Sequence, residues 1–214
     1  MSVERPADSR DALLWAARKI FAQKGFESAT VKELAETADV NVSLVSYYFG
    51  GKEGLYRTCL QEAGSQRLAM AERLLKAPES REDFRVRLKL FAEEFISFHL
   101  EESDVTTILH RECNSESSIA QDVFKNTFLK GFGQFTQFLQ VARDRGIMRP
   151  DVDIASATLV FFGGLIHTLR MSDMHVAVLG LDIKNEAFRE KVIHQSIQIF
   201  LTGTLNHSAE ESPQ

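Results

Sequence analysis

Apolar residues recur every three or four positions along nearly the whole chain, which is the period of amphipathic α-helices. The first helix is expected to begin with Ser9 as its N-cap and to end at Gly25 in the left-handed conformation. Its apolar stripe consists of Leu13, Leu14, Ala17, Ile20 and Phe21. No segment shows a convincing strand period, although Val176–Leu181 is ambiguous. The pattern therefore predicts an all-α fold of about nine helices, of which the first three are short.

Capping signals and glycines divide the first quarter of the chain into short helices. Thr30-Val31-Lys32-Glu33 is a capping box, which starts a second helix. Asn41 is expected to cap a third helix that runs to about Phe49. Gly50-Gly51 then breaks the chain, and Lys52 opens a longer helix. These signals predict a compact unit of three short helices.

The predicted elements suggest two domains and a tail. Residues 1–53 are expected to form the three-helix domain, and residues 54–205 a larger helical domain. Residues 206–214 are polar and are expected to be disordered. No flexible linker separates the two domains, so we expect the fourth helix to transmit motion between them.

Composition excludes several classes of protein. The 214 residues include 25 Lys+Arg and 30 Asp+Glu, and the formal net charge of −5 rules out a wholly basic, histone-like binder. No run reaches the roughly 18 apolar residues of a membrane span, and the polar N-terminus shows no secretory signal. Two cysteines fit a reducing compartment. A cytoplasmic location is therefore expected.

The meeting of two short helices at Ala38-Asp39-Val40 is typical of a helix–turn–helix. Lys52, with Thr30 and Lys32, lies at a helix N-terminus, where a phosphate group would be favoured. A plain helical bundle is the alternative. Residues 1–57 hold eight Lys/Arg and eight Asp/Glu, so one copy should bind DNA weakly, and a dimer would double its contacts.

Two blocks of this segment, FAQKGFESATVKELAETADV and NVSLVSYYFGGKEGLY, resemble the N-terminal domain of TetR-family transcriptional regulators. The resemblance covers Ser9 to Leu60 and implies a DNA-binding domain in which Tyr47 and Lys52 contact phosphates. Asp39 replaces the usual turn glycine, and the recognition helix contains no Lys or Arg. Base readout is therefore expected to use hydroxyls and apolar contacts with thymine methyl groups. The expected DNA-binding residues are Thr30, Lys32, Asn41, Val42, Ser43, Leu44, Ser46, Tyr47, Tyr48 and Lys52.

The same resemblance implies that the remaining helices bind a ligand and form a homodimer. Ile154–Met171 is apolar on most faces, and Gly163-Gly164 would allow close approach of another helix. Together with a stripe in the last helix, this segment is expected to form a four-helix bundle across a two-fold axis. An intrachain core helix is the alternative. The expected interface residues are Phe161, Leu165, Phe188, Val192, Ile197 and Phe200.

Sixteen phenylalanines are many for this length, and several repeat at helical spacing. They indicate either ordinary core packing or the aromatic wall of an effector pocket, with a few polar groups for orientation. The expected ligand-binding residues are Phe91, Phe95, Phe98, His110, Phe128, Phe132, Phe135 and His167.

These features predict a homodimeric DNA-binding regulator, a repressor of a palindromic operator that a small apolar or aromatic effector releases. No catalytic constellation, cofactor motif or complete metal-ligand set is present, so we expect neither an enzyme nor a resident cofactor or metal. One alternative is a metal- or thiol-responsive sensor of the same architecture, using His110, Cys113 or Cys59. Another is an all-helical small-molecule-binding protein without a DNA function.

Overall fold

The computed structural model describes residues 8–112 and 118–206, and these residues form eleven α-helices. The all-α prediction is confirmed, and the only extended pairing among them is one antiparallel bridge between Met148 and Leu205. The helices are α1 (Ser9–Ser28), α2 (Val31–Ala38), α3 (Ser43–Phe49), α4 (Lys52–Leu74), α5 (Arg81–Glu101), α6 (Ser103–Glu112), α7 (Ser118–Asn126), α8 (Phe128–Asp144), α9 (Ile154–Arg170), α10 (Ser172–Leu179) and α11 (Glu186–Thr204).

The start of α1 differs from its prediction. Asp8, not Ser9, is the N-cap, because the Asp8 carboxylate accepts hydrogen bonds from the backbone N–H groups of Arg10 and Asp11. Gly25 does adopt a positive φ of 79°, but its ψ of 173° is extended, so the prediction of a left-handed helical ending is wrong. The chain makes one more short helical stretch to Ser28.

Two further differences raise the helix count above nine. The Phe-rich segment breaks at Thr127, whose hydroxyl donates a 2.7 Å hydrogen bond to the carbonyl of Val123, and α7 and α8 result. The ambiguous segment Val176–Leu181 is mostly helical, because α10 covers Ser172–Leu179 and ends at Gly180 with φ 67°. The expected tail lies outside the described residues beyond Asn206.

Two compact units divide the chain, and the division does not follow chain order. Unit 1 combines Met1–Leu68 with Glu102–Lys130. In this unit α1 packs against α2, α3 and α6. The expected boundary at residue 53 places α6 with the second domain, whereas α6 packs on α1. The core of unit 1 includes Phe21, Leu34, Val45, Leu55 and Tyr56, each at most 1% exposed.

Unit 2 combines Ala69–Glu101 with Gly131–Gln214. Here α5 packs against α9 and α11, around an aromatic core. The segment between α8 and α9 is tied to the end of α11, since Arg149 N–H donates to Thr204 O at 2.8 Å and Asn206 N–H to Ile147 O at 3.1 Å.

Within the described ranges, no single helix is long and apolar enough to cross a membrane. Helices α9 and α10 together reach the length and apolar composition of a membrane span, but their axes differ by 65°.

Candidate nucleic-acid interface

Local hydrogen bonds define both ends of α2. The Thr30 hydroxyl accepts from the backbone N–H of Glu33 at 3.2 Å, which confirms the predicted cap. At the other end Asp39 takes the left-handed conformation, φ 54° and ψ 51°, and its N–H bonds to the carbonyls of Ala35 and Glu36. Aspartate tolerates this conformation better than most residues do, so it replaces glycine in the turn. The turn therefore directs the chain sharply into α3.

Helix α3 has one buried side chain. Val45 is 0% exposed and fixes the helix to the core of unit 1. Before the helix, the Asn41 side-chain oxygen accepts from both the backbone N–H of Ser43 at 2.9 Å and its hydroxyl at 2.7 Å. The N-cap of α3 is Val42, which makes no side-chain cap bond, so the prediction of Asn41 as the N-cap is wrong by one residue.

The exposed side of α3 is polar, aromatic and uncharged. Tyr47 is 78% exposed, and its ring meets that of Tyr48 edge-on with 4.9 Å between centroids. Val42 is 50% exposed. Of the ten residues expected to bind DNA, Leu44 and Lys52 are half-buried, and the exposed ones are Thr30, Lys32, Asn41, Val42, Ser43, Ser46, Tyr47 and Tyr48.

The connection from α3 to α4 is unusually close. Gly50, with φ 71°, donates its N–H to the carbonyl of Ser46 at 2.9 Å and so caps α3. In the first turn of α4, a Cβ on Gly54 would lie 1.8 Å from the carbonyl oxygen of Phe49. Only glycine fits there without a backbone shift, so the end of α3 lies directly against α4.

The predicted phosphate anchor, Lys52, lies among backbone carbonyls. Its ammonium donates to the carbonyl oxygens of Phe26 at 2.9 Å, in the last turn of α1, and of Ala29 at 3.0 Å, directly after that helix. The ammonium also lies 4.4 Å from the centroid of the Phe26 ring. By contrast, the Lys32 side chain is 82% exposed and its nearest acidic partner is Glu36, at 3.7 Å.

Sequence reasoning missed the residues of α6 that contact this domain. Arg111 donates two 2.7 Å hydrogen bonds, to the carbonyls of Phe21 and Ala22 near the end of α1. Burial raises the pKa of Tyr56, and its hydrogen bond with Glu112 raises that pKa further. These partners are far apart in the sequence, and no local pattern indicates their pairing.

The residues expected at a dimer interface lie mostly inside unit 2. Phe161 is 5% exposed, Leu165 2%, Ile197 5% and Phe200 8%, while Phe188 and Val192 are partly buried against the same core. Four of the six side chains are therefore occupied by the intrachain core, the alternative considered above. The apolar residues that α9 and α11 expose are different: Leu159, Val160 and Ile199 at 64%, 71% and 72%, together with the exposed Gly163, Gly164 and Gly203.

The expected ligand-binding residues divide between the two units. Phe91, Phe95, Phe132 and Phe135 meet in unit 2, where each contacts Phe162 with ring centroids 5.0–5.9 Å apart. Phe98 is half-buried in the same unit, on α5. His110 and Phe128 belong to unit 1. His167 lies on the exposed side of α9, with its ring 5.9 Å from that of His175.

Two observations in the described part of the chain bear on the metal- or thiol-sensor alternative. There, no three His, Cys, Asp or Glu side chains come together as a metal site would require. Cys59 is 1% exposed, and its burial raises the pKa of the thiol to about 12. Cys113, the other residue considered for this role, lies outside the described residues.

Comparison with known proteins identifies the family. Residues 13–59, which span the helix–turn–helix, match the profile of "Bacterial regulatory proteins, tetR family". Residues 13–59 therefore form a DNA-binding domain of the TetR family. The chain is 28% identical over 125 residues to the probable HTH-type transcriptional regulator YttP of Bacillus subtilis, covering 57% of this chain and 58% of YttP. The match thus spans little more than half the length of that relative.

Two further comparisons extend beyond the DNA-binding domain. The HTH-type transcriptional repressor NicS of Pseudomonas putida is 25% identical over 170 residues, 75% of this chain and 78% of NicS. The crystal structure of the regulator FadR from Bacillus subtilis, in complex with stearoyl-CoA, has a TM-score of 0.70 and 15% identity, covering 90% of this chain and 97% of FadR. The TetR-family fold therefore extends over most of the chain, and its relatives are regulators rather than enzymes.

Proposed function

We propose that this TetR-family protein binds operator DNA as a homodimer and inserts α3 of each subunit into a major groove. The exposed surface of α3 is the observation that supports the proposal. One side chain, Val45, anchors it, and the residues around Tyr47 leave an uncovered helix surface. A short helix held at both ends and exposed along its length is the form that a recognition helix takes.

The chemistry of this surface suggests how bases would be read. Val42 and Leu44 offer methyl groups to thymine, and the Ser46 hydroxyl can donate to or accept from a base edge. The exposed Tyr47 phenol would contact a phosphate group. Because α3 has no cation, most of the electrostatic attraction must come from residues outside it, such as Lys32 on α2.

Few phosphate contacts in each copy favour a dimer. The exposed apolar side of α9 and α11, with Val160 and Ile199, would lie between the two copies. Its glycines carry no side chain, and open space surrounds Gly163, Gly164 and Gly203. A second copy of the same two helices could approach closely there, as in a four-helix bundle. The buried Phe161 and Leu165 would support this surface from within.

The aromatic cluster around Phe162 is the proposed effector region of unit 2. Its side chains offer mainly apolar surface, which favours an apolar or aromatic ligand. FadR was crystallised with stearoyl-CoA, whose acyl chain is such a group. NicS is named a repressor, and we propose the same sign of regulation here. The effector would bind more tightly to a conformation that does not fit the operator. It would release DNA by shifting the protein toward that conformation.

Selection of DNA tests the proposal without knowledge of the operator. Wild-type protein is incubated with a pool of duplexes that carry a randomised central region, and bound sequences are recovered through several rounds. The expected result is a palindromic motif with half-sites about 34 Å apart, or a multiple of that repeat, bound more weakly as salt rises. If no motif is recovered at any ionic strength, the proposal is wrong.

A further inference from the structure

The ammonium group of Lys52 is bound to the backbone at the C-terminal end of α1. Its short hydrogen bonds reach the carbonyls of Phe26 and Ala29 at 2.9 and 3.0 Å, and a third carbonyl, of Glu27, lies at 3.5 Å. An ammonium has three N–H donors and no acceptor. Three carbonyl oxygens at the end of α1 therefore lie within reach of these donors.

These contacts suit a cation for a simple electrostatic reason. These carbonyls follow the break in α1 at Gly25, and carbonyl groups at a helix C-terminus carry partial negative charge. Charge-assisted hydrogen bonds are roughly twice as strong as neutral ones. The Phe26 ring, 4.4 Å from the ammonium, adds a cation–π contact. A solvated phosphate would have to displace this whole set of contacts.

Lys52 also joins the two elements whose relative position sets DNA readout. On one side, Ala29 directly precedes Thr30, the N-cap of α2. On the other side, Lys52 follows the Gly50-Gly51 connection, in which the Gly51 N–H bonds to the carbonyl of Val45 in α3 at 3.4 Å. The Lys52 side chain, at the start of α4, thus links the residue before α2 to the connection that follows α3.

We infer that Lys52 is a positioning residue, which holds α2 and α3 in the orientation needed to discriminate between sequences and does not itself bind a phosphate. The inference rests on the proposed DNA-binding function. It replaces the expectation that Lys52 is a phosphate anchor, and it leaves phosphate binding to exposed cations such as Lys32.

A set of matched variants separates these roles. Lys52→Met keeps an unbranched apolar side chain of similar length but removes the donors, while Lys52→Arg retains donors for carbonyls. Lys32→Ala is the control for removal of a cation that binds phosphate. Ala63→Gly lies at a buried position of α4, eleven residues from Lys52. It is the control for a loss of stability that leaves the contacts of Lys52 with the carbonyls unchanged.

Binding is measured against salt for a duplex that the wild-type protein selects from a randomised pool and for a scrambled duplex of equal composition. We expect Lys52→Met to lose about tenfold in affinity for the selected duplex, with the salt slope and scrambled binding unchanged. Lys52→Arg should recover the preference. Lys32→Ala should lower the slope by about 0.9 for each phosphate group that is no longer neutralised. Ala63→Gly should lower the melting temperature but preserve the preference.

Two outcomes would overturn the inference. One is a lower salt slope for Lys52→Met with both duplexes weakened equally, as removal of a phosphate-binding cation would produce. The other is loss of the same preference in Ala63→Gly at an equal fall in melting temperature, as a purely structural effect would produce. Acetylation of the DNA-free protein with acetic anhydride adds an independent measurement: Lys52 should react more slowly than Lys32, and equal rates would refute the carbonyl contacts. Failure of the wild-type protein to select any duplex would instead refute the proposed function.

Discussion

The guanidinium of Arg111 donates a 2.7 Å hydrogen bond to the carbonyl oxygen of Phe21, ninety positions away in the sequence. Its second 2.7 Å bond, to Ala22, occupies the next carbonyl near the end of α1. A further contact of α6 reinforces this pairing, since Glu112 hydrogen-bonds Tyr56 in the core of unit 1. Helix α6 is therefore a structural part of unit 1, although it follows α5 in the chain.

Replacing Arg111 should destabilise unit 1. We expect Arg111→Met to lower the free energy of unfolding by about 1–3 kcal/mol, because two carbonyls lose a charged donor. Arg111→Lys should lose less, since an ammonium retains the charge but not the planar fork of donors. Urea unfolding followed by circular dichroism measures the change. Arg85→Met, at an exposed position of α5, is the control, and equal losses in the two Met variants would contradict the role assigned to Arg111.

Gly54 and Gly133 should respond in opposite directions to the same substitution. A Cβ on Gly54 would lie 1.8 Å from the carbonyl oxygen of Phe49, whereas nothing lies within 4 Å of one on Gly133. We expect Gly54→Ala to cost about 1–3 kcal/mol through a forced backbone shift. Gly133→Ala should instead stabilise α8 by up to about 1 kcal/mol. Thermal and urea unfolding test the pair, and a stabilised Gly54→Ala would show that α3 and α4 can separate at no cost.

Local relationships were the ones that the sequence could predict. The Thr30 cap and the Asp39 turn each involve partners within about four residues, and both appear as expected. The sequence also shows that Lys52 is a cation. It does not show that the partners of Lys52 are backbone carbonyls at the end of α1. Arg111 shows the same limitation more strongly, because its carbonyl partners become neighbours only when the helices pack.

Helix α9 shows why the apolar pattern alone did not locate the exposed side. A helix that is apolar on most faces has no polar stripe to mark solvent, so periodicity could not separate Phe161 from Val160. In the structure Phe161 is 5% exposed and Val160 71%. The distinction depends on which side faces α5 and α11, and that is a property of the packed unit.

Cys59 should make stability fall at alkaline pH. Its burial raises the thiol pKa to about 12 in the folded chain, above the value of about 8.5 for an exposed thiol. The folded state thus retains a proton that the unfolded state releases, so this contribution to stability is complete below about pH 8.5 and is lost as pH rises toward 12. Cys59→Ala should show a shallower decline, measured as urea midpoints between about pH 8 and 10.5.

The raised pKa of Tyr56 also lowers stability at alkaline pH. The wild-type protein and the Cys59→Ala variant should therefore both lose stability as pH rises. The difference between their slopes isolates the thiol. Parallel slopes would contradict the assigned origin of the effect. A thiol reagent should modify Cys59 in the folded protein only at the rate of unfolding.

Tyr47 and Ser46 should differ in the kind of DNA-binding defect they cause. Tyr47→Phe removes the exposed phenol hydroxyl and is expected to weaken the selected and scrambled duplexes by similar factors, because a phosphate is bound in either sequence. Ser46→Ala should change which base is preferred at one position of each half-site. Fluorescence anisotropy with duplexes that differ at single positions provides the measurement. A change of preference in Tyr47→Phe would place its phenol at a base edge instead.

Val160 should be required for dimer formation. Val160 is 71% exposed on α9, so Val160→Asp places a charge on the surface proposed to meet the second copy without disturbing the core of unit 2. We expect this variant to sediment as a monomer with a wild-type helical spectrum and to bind the selected duplex far more weakly. Val86→Asp, at an exposed apolar position of α5, should remain a dimer. If both variants sediment as dimers, the interface lies elsewhere, and the exposed side of α9 and α11 does not bring the two recognition helices together.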